Sequence, residues 1–385
     1  MVKVRYFSYY ARMALGIGLV GLPNVGKSTL FQALTKKSVL VANYPFATID
    51  PSVGVVAVPD ERLDHLAVFS ESAKKVPAAV EFVDIAGLVK GASEGEGLGN
   101  QFLSHIREVD AIAHIVRLFD NTDIIHVDGE VQPLRDIETI NLELILADLE
   151  TTEKRLASLE REVKRLPDNN AGGNKEVLVE YAAIQKANVL LKDSKLAQAA
   201  DYTPEERLAI KGLHLLTMKP MLYVLNREAG GHNIDESRDG RWEKLEHFFE
   251  ESGASYVFVD ANVENELRDL HADDKATFRQ EYGVLDDGVN GLIRAGYALL
   301  GLMSFFTTGK DESRAWTIPV GSTAPEAGAT IHTDFKTKFI RAEVINWQQL
   351  LQAGSYAKAR EQGLVRTEGK GYIVQNGDVM EFLHS

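Results

Sequence analysis

Short apolar runs alternate along the chain with stretches in which apolar residues recur every three or four positions. The run Leu15–Val20 predicts a buried strand, and residues 27–35 predict the start of a helix directly after it. Further strands are expected at Val53–Val58, Ala79–Val83, Ala111–Leu118, Met221–Leu225 and Tyr256–Val259. Strands that alternate with helices favour a doubly wound α/β fold with a mostly parallel sheet covered on both faces.

A helical segment interrupts this alternation. Apolar residues recur every seventh position at Leu142, Leu149, Leu156 and Val163. A second set of apolar residues lies between them, at Ile145, Leu159 and Leu166. Residues 167–174 then break the helix, and Val177, Ile184 and Leu191 indicate a returning one. The pattern predicts an antiparallel coiled-coil hairpin over residues 132–212, inserted into a nucleotide-binding domain of residues 14–285. The alternative is two ordinary surface helices of the sheet.

The remaining regions are smaller. A helix is expected at Val289–Leu302, before short strands at Ala315–Pro319, Ile340–Ile345, Tyr372–Val374 and Val379–Phe382. We interpret residues 301–385 as a small α+β domain. Residues 1–13 are interpreted as an N-terminal extension, because they lack the continuous apolar stretch of a secretory signal.

Composition narrows the class of protein. Apolar residues make up 45% of the chain and charged residues 25%, and no apolar run approaches the roughly 20 residues that cross a bilayer. We therefore expect a cytoplasmic protein with no membrane partner. The absence of cysteine excludes disulfides, thiolate metal sites and cysteine nucleophiles.

Charge is distributed unevenly. The net charge of −14 argues against non-specific binding of nucleic acid. Residues 301–385, however, contain nine Lys or Arg and nine Asp or Glu, so the excess acidity lies upstream of them. This neutral C-terminal segment could approach RNA where the acidic remainder would be repelled.

The segment Gly21-Leu22-Pro23-Asn24-Val25-Gly26-Lys27-Ser28 is a complete phosphate-binding loop between a strand and a helix. In such a loop, consecutive backbone N–H groups and the positive end of the helix bind phosphate oxygens. The predicted nucleotide-binding residues here are Asn24, Val25, Gly26, Lys27, Ser28 and Thr29. Lys27 is also a candidate catalytic residue, because its charge neutralises the β- and γ-phosphates. These features predict a P-loop nucleoside triphosphatase.

Magnesium is the expected cofactor, and its ligands are predicted to be hydroxyl and carboxylate oxygens. Ser28 follows the loop lysine, Asp84 closes a strand within Asp-x-x-Gly, and Thr48 lies between these two motifs. The N–H group of Gly87 is placed to sense the γ-phosphate.

The catalytic group is less obvious. Leu88 follows Gly87, where many regulatory GTPases have the glutamine that orients the attacking water, and leucine forms no hydrogen bond. His126 is the candidate replacement, because imidazole hydrogen-bonds water near neutral pH. A structural role for His126 is the alternative. His114 lies within an apolar strand, where a structural histidine is the favoured reading.

Several motifs carry a resemblance to a known family. Residues 89–101, Val-Lys-Gly-Ala-Ser-Glu-Gly-Glu-Gly-Leu-Gly-Asn-Gln, resemble the glycine-rich second switch of the Obg superfamily. With Asn-Tyr-Pro-Phe-Ala-Thr-Ile at 43–49 and Phe-Ile-Arg-Ala at 339–342, the chain resembles the YchF or Obg-like ATPase family. The resemblance implies an Obg-type nucleotide domain, a coiled-coil hairpin and a C-terminal ubiquitin-like (β-grasp) TGS domain. It also implies preference for ATP over GTP, association with a ribosome or ribosomal subunit, and a role in hydrolysis for His126.

The base-reading segment differs from that of guanine-specific relatives, which end the corresponding strand with Asn-Lys-x-Asp. Here the strand ends in Asn226-Arg227-Glu228, so the guanine-reading aspartate is missing and ATP is the expected nucleotide. The family usually has Asn-x-x-Glu at this point. The resemblance assigns Asn226 and Arg227 to the base and leaves the role of Glu228 open. RNA contact is expected through the TGS domain and the hairpin. Two alternatives remain, a GTPase of the Obg superfamily and a ribosome- or RNA-binding module with vestigial hydrolysis.

Overall fold

The computed structural model describes residues 15–35, 52–85, 98–124, 129–164, 175–237, 239–267, 270, 272–281 and 288–384. The described residues fall into two compact units. One comprises residues 16–33 and 83–288, and the other comprises residues 34–82 and 289–385 together with the start of the chain. Residues 34–82 group with the C-terminal residues in this division. The domain boundaries expected from the sequence, at residues 14–285 and 301–385, stay a prediction.

The strands of the first sheet alternate with helices, as the hydrophobic pattern predicts. Its strands are β1 (Gly16–Val20), β2 (Val53–Ala57), β4 (Ala79–Asp84), β5 (Ala111–Arg117), β7 (Met221–Asn226) and β9 (Ser255–Val259). They follow the order β2-β4-β1-β5-β7-β9, and the pairs β1/β5, β5/β7 and β7/β9 are parallel. Every residue of β1, β5 and β7 is buried. These fully buried strands are typical of a sheet covered on both faces, and the P-loop α/β fold is confirmed.

Helices and one short hairpin accompany this sheet. The helices are α1 (Lys27–Thr35), α3 (Leu98–Glu108), α4 (Pro133–Val163), α5 (Lys175–Lys192), α6 (Pro204–Ile210), α7 (Arg241–Ser252), α8 (Ala261–Leu267) and α9 (Ala272–Glu281). Short 3₁₀ helices span Ala197–Ala199, Lys211–Leu213 and Leu216–Met218. Strands β6 (Phe119–Asp120) and β8 (His232–Asn233) pair with each other antiparallel.

Helices α4 and α5 lie antiparallel where the helical insertion is predicted. Arg155 forms two hydrogen bonds to the Glu180 carboxylate, at 2.7 and 2.8 Å, while Thr152 accepts a hydrogen bond from Asn188 at 3.1 Å. Earlier positions of α4 therefore face later positions of α5. Apolar residues fill the seam between these helices at Ile145, Leu159, Ala183, Ile184, Ala187 and Leu191. One predicted member of the seam is wrong: Leu142 is 46% exposed, because it lies on another side of α4.

A buried carboxylate fixes the base of this hairpin. Asp148 of α4 is fully buried and accepts hydrogen bonds from the backbone N–H groups of Leu216 and Thr217, at 3.0 and 2.7 Å. The Thr217 hydroxyl donates a third hydrogen bond, also at 2.7 Å. Burial raises the pKa of Asp148, and these three donors oppose that shift. The contacts attach α4 to the segment that leads into β7.

The second unit is built around a mixed sheet. Its strands are β3 (Lys74–Val76), β10 (Leu302–Thr308), β11 (Glu312–Pro319), β12 (Phe339–Asn346), β13 (Arg366–Glu368) and β14 (Asp378–His384), in the order β13-β12-β14-β10-β11-β3. Its helices are α2 (Glu61–Phe69), α10 (Gly288–Leu299), α11 (Ala324–Ile331), α12 (Asp334–Thr337), α13 (Trp347–Ala353) and α14 (Tyr356–Glu361). The pairs β10/β11, β12/β13 and β12/β14 are antiparallel, whereas β10/β14 and β11/β3 are parallel.

Two of the predicted elements in this unit are corrected. Residues 372–374 do not form a strand. They contribute one isolated bridge, between Ile373 and Thr323, and the neighbouring strand is β13. Leu302 begins β10 and does not end the preceding helix, because α10 stops at Leu299 and Gly301 adopts a positive φ of 66°. Within the described ranges, every helix is too short or too polar to cross a lipid bilayer.

Candidate functional site: a phosphate loop and its base-side wall

The loop between β1 and α1 has the backbone of an anion-binding turn. Asn24 and Gly26 both adopt positive φ, 64° and 93°. Gly21 lies so close to β5 that a Cβ atom there would be 2.8 Å from the carbonyl oxygen of Ile115. Turns in which left-handed residues alternate with ordinary ones direct successive N–H groups to one side, where a phosphate binds. Val25 is buried beneath the loop, and the Ser28 and Thr29 side chains that follow are exposed and half-buried.

Lys27 and Asp84 are brought together at this loop from positions far apart in the sequence. The Lys27 ammonium donates a hydrogen bond to Asp84 Oδ1. Both side chains retain some solvent exposure, 12% for Lys27 and 25% for Asp84, so phosphate and cation can reach them. The Asp84 carboxylate and the Ser28 hydroxyl are hard oxygen donors, which is the donor chemistry that Mg²⁺ prefers. The residues present therefore fit the expected cofactor.

Asn226 supports the phosphate loop by hydrogen bonding. Its side chain is buried, its Nδ2 donates to the carbonyl oxygen of Val25 at 2.8 Å, and its Oδ1 accepts from the N–H group of Ala261 at 3.0 Å. A Cβ at Gly26 would lie 2.3 Å from the same Nδ2. The amide thus connects the phosphate loop to the first residue of α8. The contacts seen here fix the loop, whereas the base contact expected from the sequence remains a prediction.

Arg227 is the other residue predicted to contact the nucleotide base. In the structure, its side chain interacts with acidic and aromatic residues of the protein. Its guanidinium forms ion pairs with Asp235, at 3.3 Å, and with Glu236, and lies 5.5 Å from the ring centre of Phe258. Its backbone N–H donates to the Val259 carbonyl oxygen at 2.9 Å. The cation is partly neutralised, so any contact with a base would come from the edge that remains exposed.

Three predicted site residues, Thr48, Gly87 and His126, lie outside the described residues, as does Leu88. Their roles stay predictions.

Two regions of the chain match known protein families. Residues 16–155 match the family of 50S ribosome-binding GTPases, and residues 302–385 match the family YchF-GTPase_C, described as a protein of unknown function (DUF933). The chain is 48% identical over 370 residues to the ribosome-binding ATPase YchF of Bacillus subtilis, covering 96% of this chain and 99% of that protein. The corresponding protein of Escherichia coli O157:H7 is 47% identical over 371 residues, with the same coverage.

A solved structure agrees with these sequences. The YchF GTPase of Schizosaccharomyces pombe superposes with a TM-score of 0.84 at 38% identity, covering 96% of this chain and 97% of that one. The chain belongs to the YchF family. The resemblance inferred from the switch and C-terminal motifs is therefore confirmed.

In this YchF-family chain, Arg117 is a residue that the sequence analysis missed. It is almost fully buried at the end of β5, and its guanidinium donates to the carbonyl oxygens of Phe119, Asn121 and Ile124 at 3.0 to 3.1 Å. Burial lowers the pKa of Arg117, and nearby carboxylates oppose that shift. A charged residue at the end of an apolar strand was the available signal. Arg117 fixes the loop that leads toward position 126.

His114 fits the structural reading favoured from the sequence. It is 1% exposed within β5, its ring lies 5.5 Å from that of Tyr223, and burial lowers its pKa to about 3. Its Nδ1 has no hydrogen-bond partner in the part of the chain that the structure describes. The ring is therefore neutral across the physiological pH range and packs as an apolar group.

Proposed function

We propose that this YchF-family chain is a Mg²⁺-dependent nucleotide-switch ATPase, which hydrolyses ATP to ADP and phosphate in preference to GTP. The observation that carries the proposal is the phosphate loop with Lys27 and Asp84 joined beside it and Asn226 supporting it from behind. An intact loop, a lysine and a carboxylate are the parts that phosphoryl transfer requires. The name of the two bacterial relatives, ribosome-binding ATPase, supports the same reaction.

Each residue has a distinct part in the reaction. The loop N–H groups and Lys27 bind the β- and γ-phosphates and offset the charge that develops as the terminal bond breaks. Ser28, Asp84 and Thr48 would hold the cation, either directly or through water. Mg²⁺, when bound, would supply further charge neutralisation on the β- and γ-phosphates. Gly87 would contact the γ-phosphate, and His126 would orient the attacking water in place of the glutamine that Leu88 replaces.

The direct test measures initial rates with ATP and GTP side by side, with and without Mg²⁺. We expect faster hydrolysis of ATP and loss of activity when the metal is chelated. A clear preference for GTP would contradict the base assignment and favour a GTPase of the Obg superfamily.

Two variants test the residue roles. Lys27→Ala should abolish triphosphate binding, whereas Lys154→Ala, at an exposed lysine of α4, should bind normally. His126→Ala should slow turnover without weakening binding, and His247→Ala, at an exposed histidine of α7, is its control. If His126→Ala turns over at the wild-type rate, the histidine role is wrong.

We also propose a cytoplasmic protein that associates with a ribosome or ribosomal subunit. The names of the relatives support this partner, and the balanced charge of residues 301–385 is compatible with RNA contact by the C-terminal TGS domain or the α4–α5 hairpin. Cosedimentation with ribosomal subunits, with and without ATP, tests it. ATP binding without hydrolysis, even with ribosomes present, would favour a binding module with a vestigial site.

A further inference from the structure

A carboxylate stands at the base-side end of β7, where its chemistry should favour guanine. Asn226 contacts the phosphate loop, and Glu228 follows two residues later, within about 7 Å along the chain. The N1–H and 2-amino groups of guanine form a pair of donors that suits a carboxylate, and adenine has no such pair on that edge. A free Glu228 carboxylate would therefore oppose the ATP preference proposed above.

In the structure, the Glu228 carboxylate is hydrogen-bonded to another residue of the protein. Glu228 Oε1 accepts a hydrogen bond from Asn121 Nδ2 at 2.9 Å. Its other oxygen lies over the turn formed by residues 228–231, where a Cβ at Gly231 would be 2.5 Å from Oε2. The Asn233 side chain fixes the backbone of Glu228. Its Oδ1 accepts a hydrogen bond from the Glu228 N–H at 2.9 Å, and its Nδ2 donates one to the Glu228 carbonyl oxygen at 3.0 Å.

Asn121 is itself held in the orientation that this contact needs. Its Oδ1 accepts a hydrogen bond from the N–H group of Asp123 at 2.9 Å, which leaves Nδ2 as the group that faces Glu228. Its carbonyl oxygen accepts from the buried guanidinium of Arg117 at 3.0 Å. The amide is thus a fixed donor, and the Glu228 carboxylate is the acceptor that it reaches.

A second carboxylate beside this segment, that of Asp260, is also hydrogen-bonded within the protein. Asp260 is 5% exposed, and it accepts hydrogen bonds from the N–H groups of Ala229, at 2.6 Å, and Val263, at 2.9 Å. Ala229 stands at the third position after Asn226, which is where guanine-specific members place their aspartate. The Glu228 and Asp260 carboxylates are therefore both hydrogen-bonded within the protein.

We propose that Asn121 is a specificity-determining residue, which selects ATP over GTP by holding the Glu228 carboxylate away from the base. The inference rests on the proposed ATP preference and extends it. Asn121 acts by withholding an acceptor pair from guanine. Base selection then depends on the loop after β5 as well as on the segment after β7.

The test uses Asn121→Asp in the full chain. This change keeps the oxygen that accepts from the Asp123 N–H, removes the amide donor, and places a negative charge next to Glu228. Dissociation constants for ATP, GTP and ITP are compared as ratios, so that a general effect of the added charge on triphosphate binding cancels. We expect the ratio to shift toward GTP by roughly tenfold, the effect of about one added hydrogen bond to a charged group. ITP, which lacks the 2-amino group, should gain less than GTP.

Two further variants complete the test. Asn121→Asp combined with Glu228→Gln should return the ratio to the wild-type value, because the carboxylate that reads guanine is gone. Asn121→Ala should shift the ratio in the same direction as Asn121→Asp. Circular dichroism checks that both Asn121 variants fold like the wild type. If the wild type prefers ATP and both folded variants keep the wild-type ratio of ATP to GTP dissociation constants, the role of Asn121 is wrong and the ATPase proposal stands. If the wild type itself prefers GTP, both proposals fail.

Discussion

Asn226 Nδ2 and the Val25 carbonyl oxygen lie 2.8 Å apart, although 201 positions separate the two residues in the sequence. The hydrogen bond joins the end of β7 to the underside of the phosphate loop. Because the same amide also accepts from Ala261, the loop conformation depends on the segments that follow both β7 and β9.

Loss of this amide should weaken nucleotide binding. Asn226→Ala removes two buried hydrogen bonds and leaves the Val25 carbonyl oxygen unpaired, which costs about 2 kcal/mol, or roughly thirtyfold in affinity. Asn226→Asp should be at least as damaging, because it turns a carboxylate oxygen toward a carbonyl oxygen. Titration calorimetry with ATP measures the effect. Wild-type affinity in Asn226→Ala would show that the loop holds its shape without the amide.

Gly26 should tolerate no side chain. Gly26→Ala introduces a Cβ 2.3 Å from Asn226 Nδ2 at a residue with φ of 93°, so the loop must move. ATP binding should therefore fall at least tenfold, or by roughly 1.4 kcal/mol. Gly354→Ala is the matched control, since Gly354 has φ of 75° but open space around its Cβ position. That variant should lose about 1 kcal/mol of stability and bind ATP normally. Equal ATP affinity in the two variants would contradict the steric argument.

His114 should make the fold sensitive to mild acid. Its pKa of about 3 in the folded chain lies below the value of 6.5 in the unfolded chain, so the unfolded state binds the proton first. Its contribution to stability is complete above pH 6.5 and is lost as the pH falls toward 3, up to roughly 4 kcal/mol. His114→Phe cannot titrate and should show a weaker loss between pH 7 and pH 5. Urea unfolding at several pH values compares the two, and parallel pH profiles would rule out His114 as the cause.

The segment from Ser72 into β3 should contribute to the stability of the C-terminal sheet. Lys74 pairs with Glu312 in register, and the Ser72 hydroxyl donates to the Gly309 carbonyl oxygen at 2.7 Å and lies 2.8 Å from the Ser313 hydroxyl. Ser72→Ala should therefore reduce the free energy of unfolding by about 1–2 kcal/mol.

The control for this change is Ser252→Ala, at an exposed serine whose hydrogen bonds are local. Its hydroxyl donates to the Phe248 carbonyl oxygen at 2.6 Å and accepts from the Ala254 N–H at 3.3 Å. That change should cost less than about 0.5 kcal/mol. Urea denaturation of the full chain measures both variants, and equal losses would mean that the Ser72 contacts add nothing to the sheet.

Contiguous features were predictable from the sequence. The phosphate loop, β1 and α1 follow one another along the chain, and their residues carry their own conformational preferences: glycine for the turn and apolar runs for the buried strand. The helices of the insertion were also predictable, because a periodic apolar face is a local property. Even there, Leu142 shows that a seven-residue period does not by itself locate the partner helix.

The tertiary structure decided what depends on contacts between distant segments. The sequence showed that a guanine-reading aspartate is missing, but only the fold places Asn121 against Glu228, 107 positions away, and β3 against β11. Side-chain hydrogen bonds and strand pairing are set by which surfaces meet after folding, and residue order along the chain does not specify those meetings. The sequence by itself thus determined the phosphate chemistry, and the tertiary structure determined how the base-side carboxylates are held.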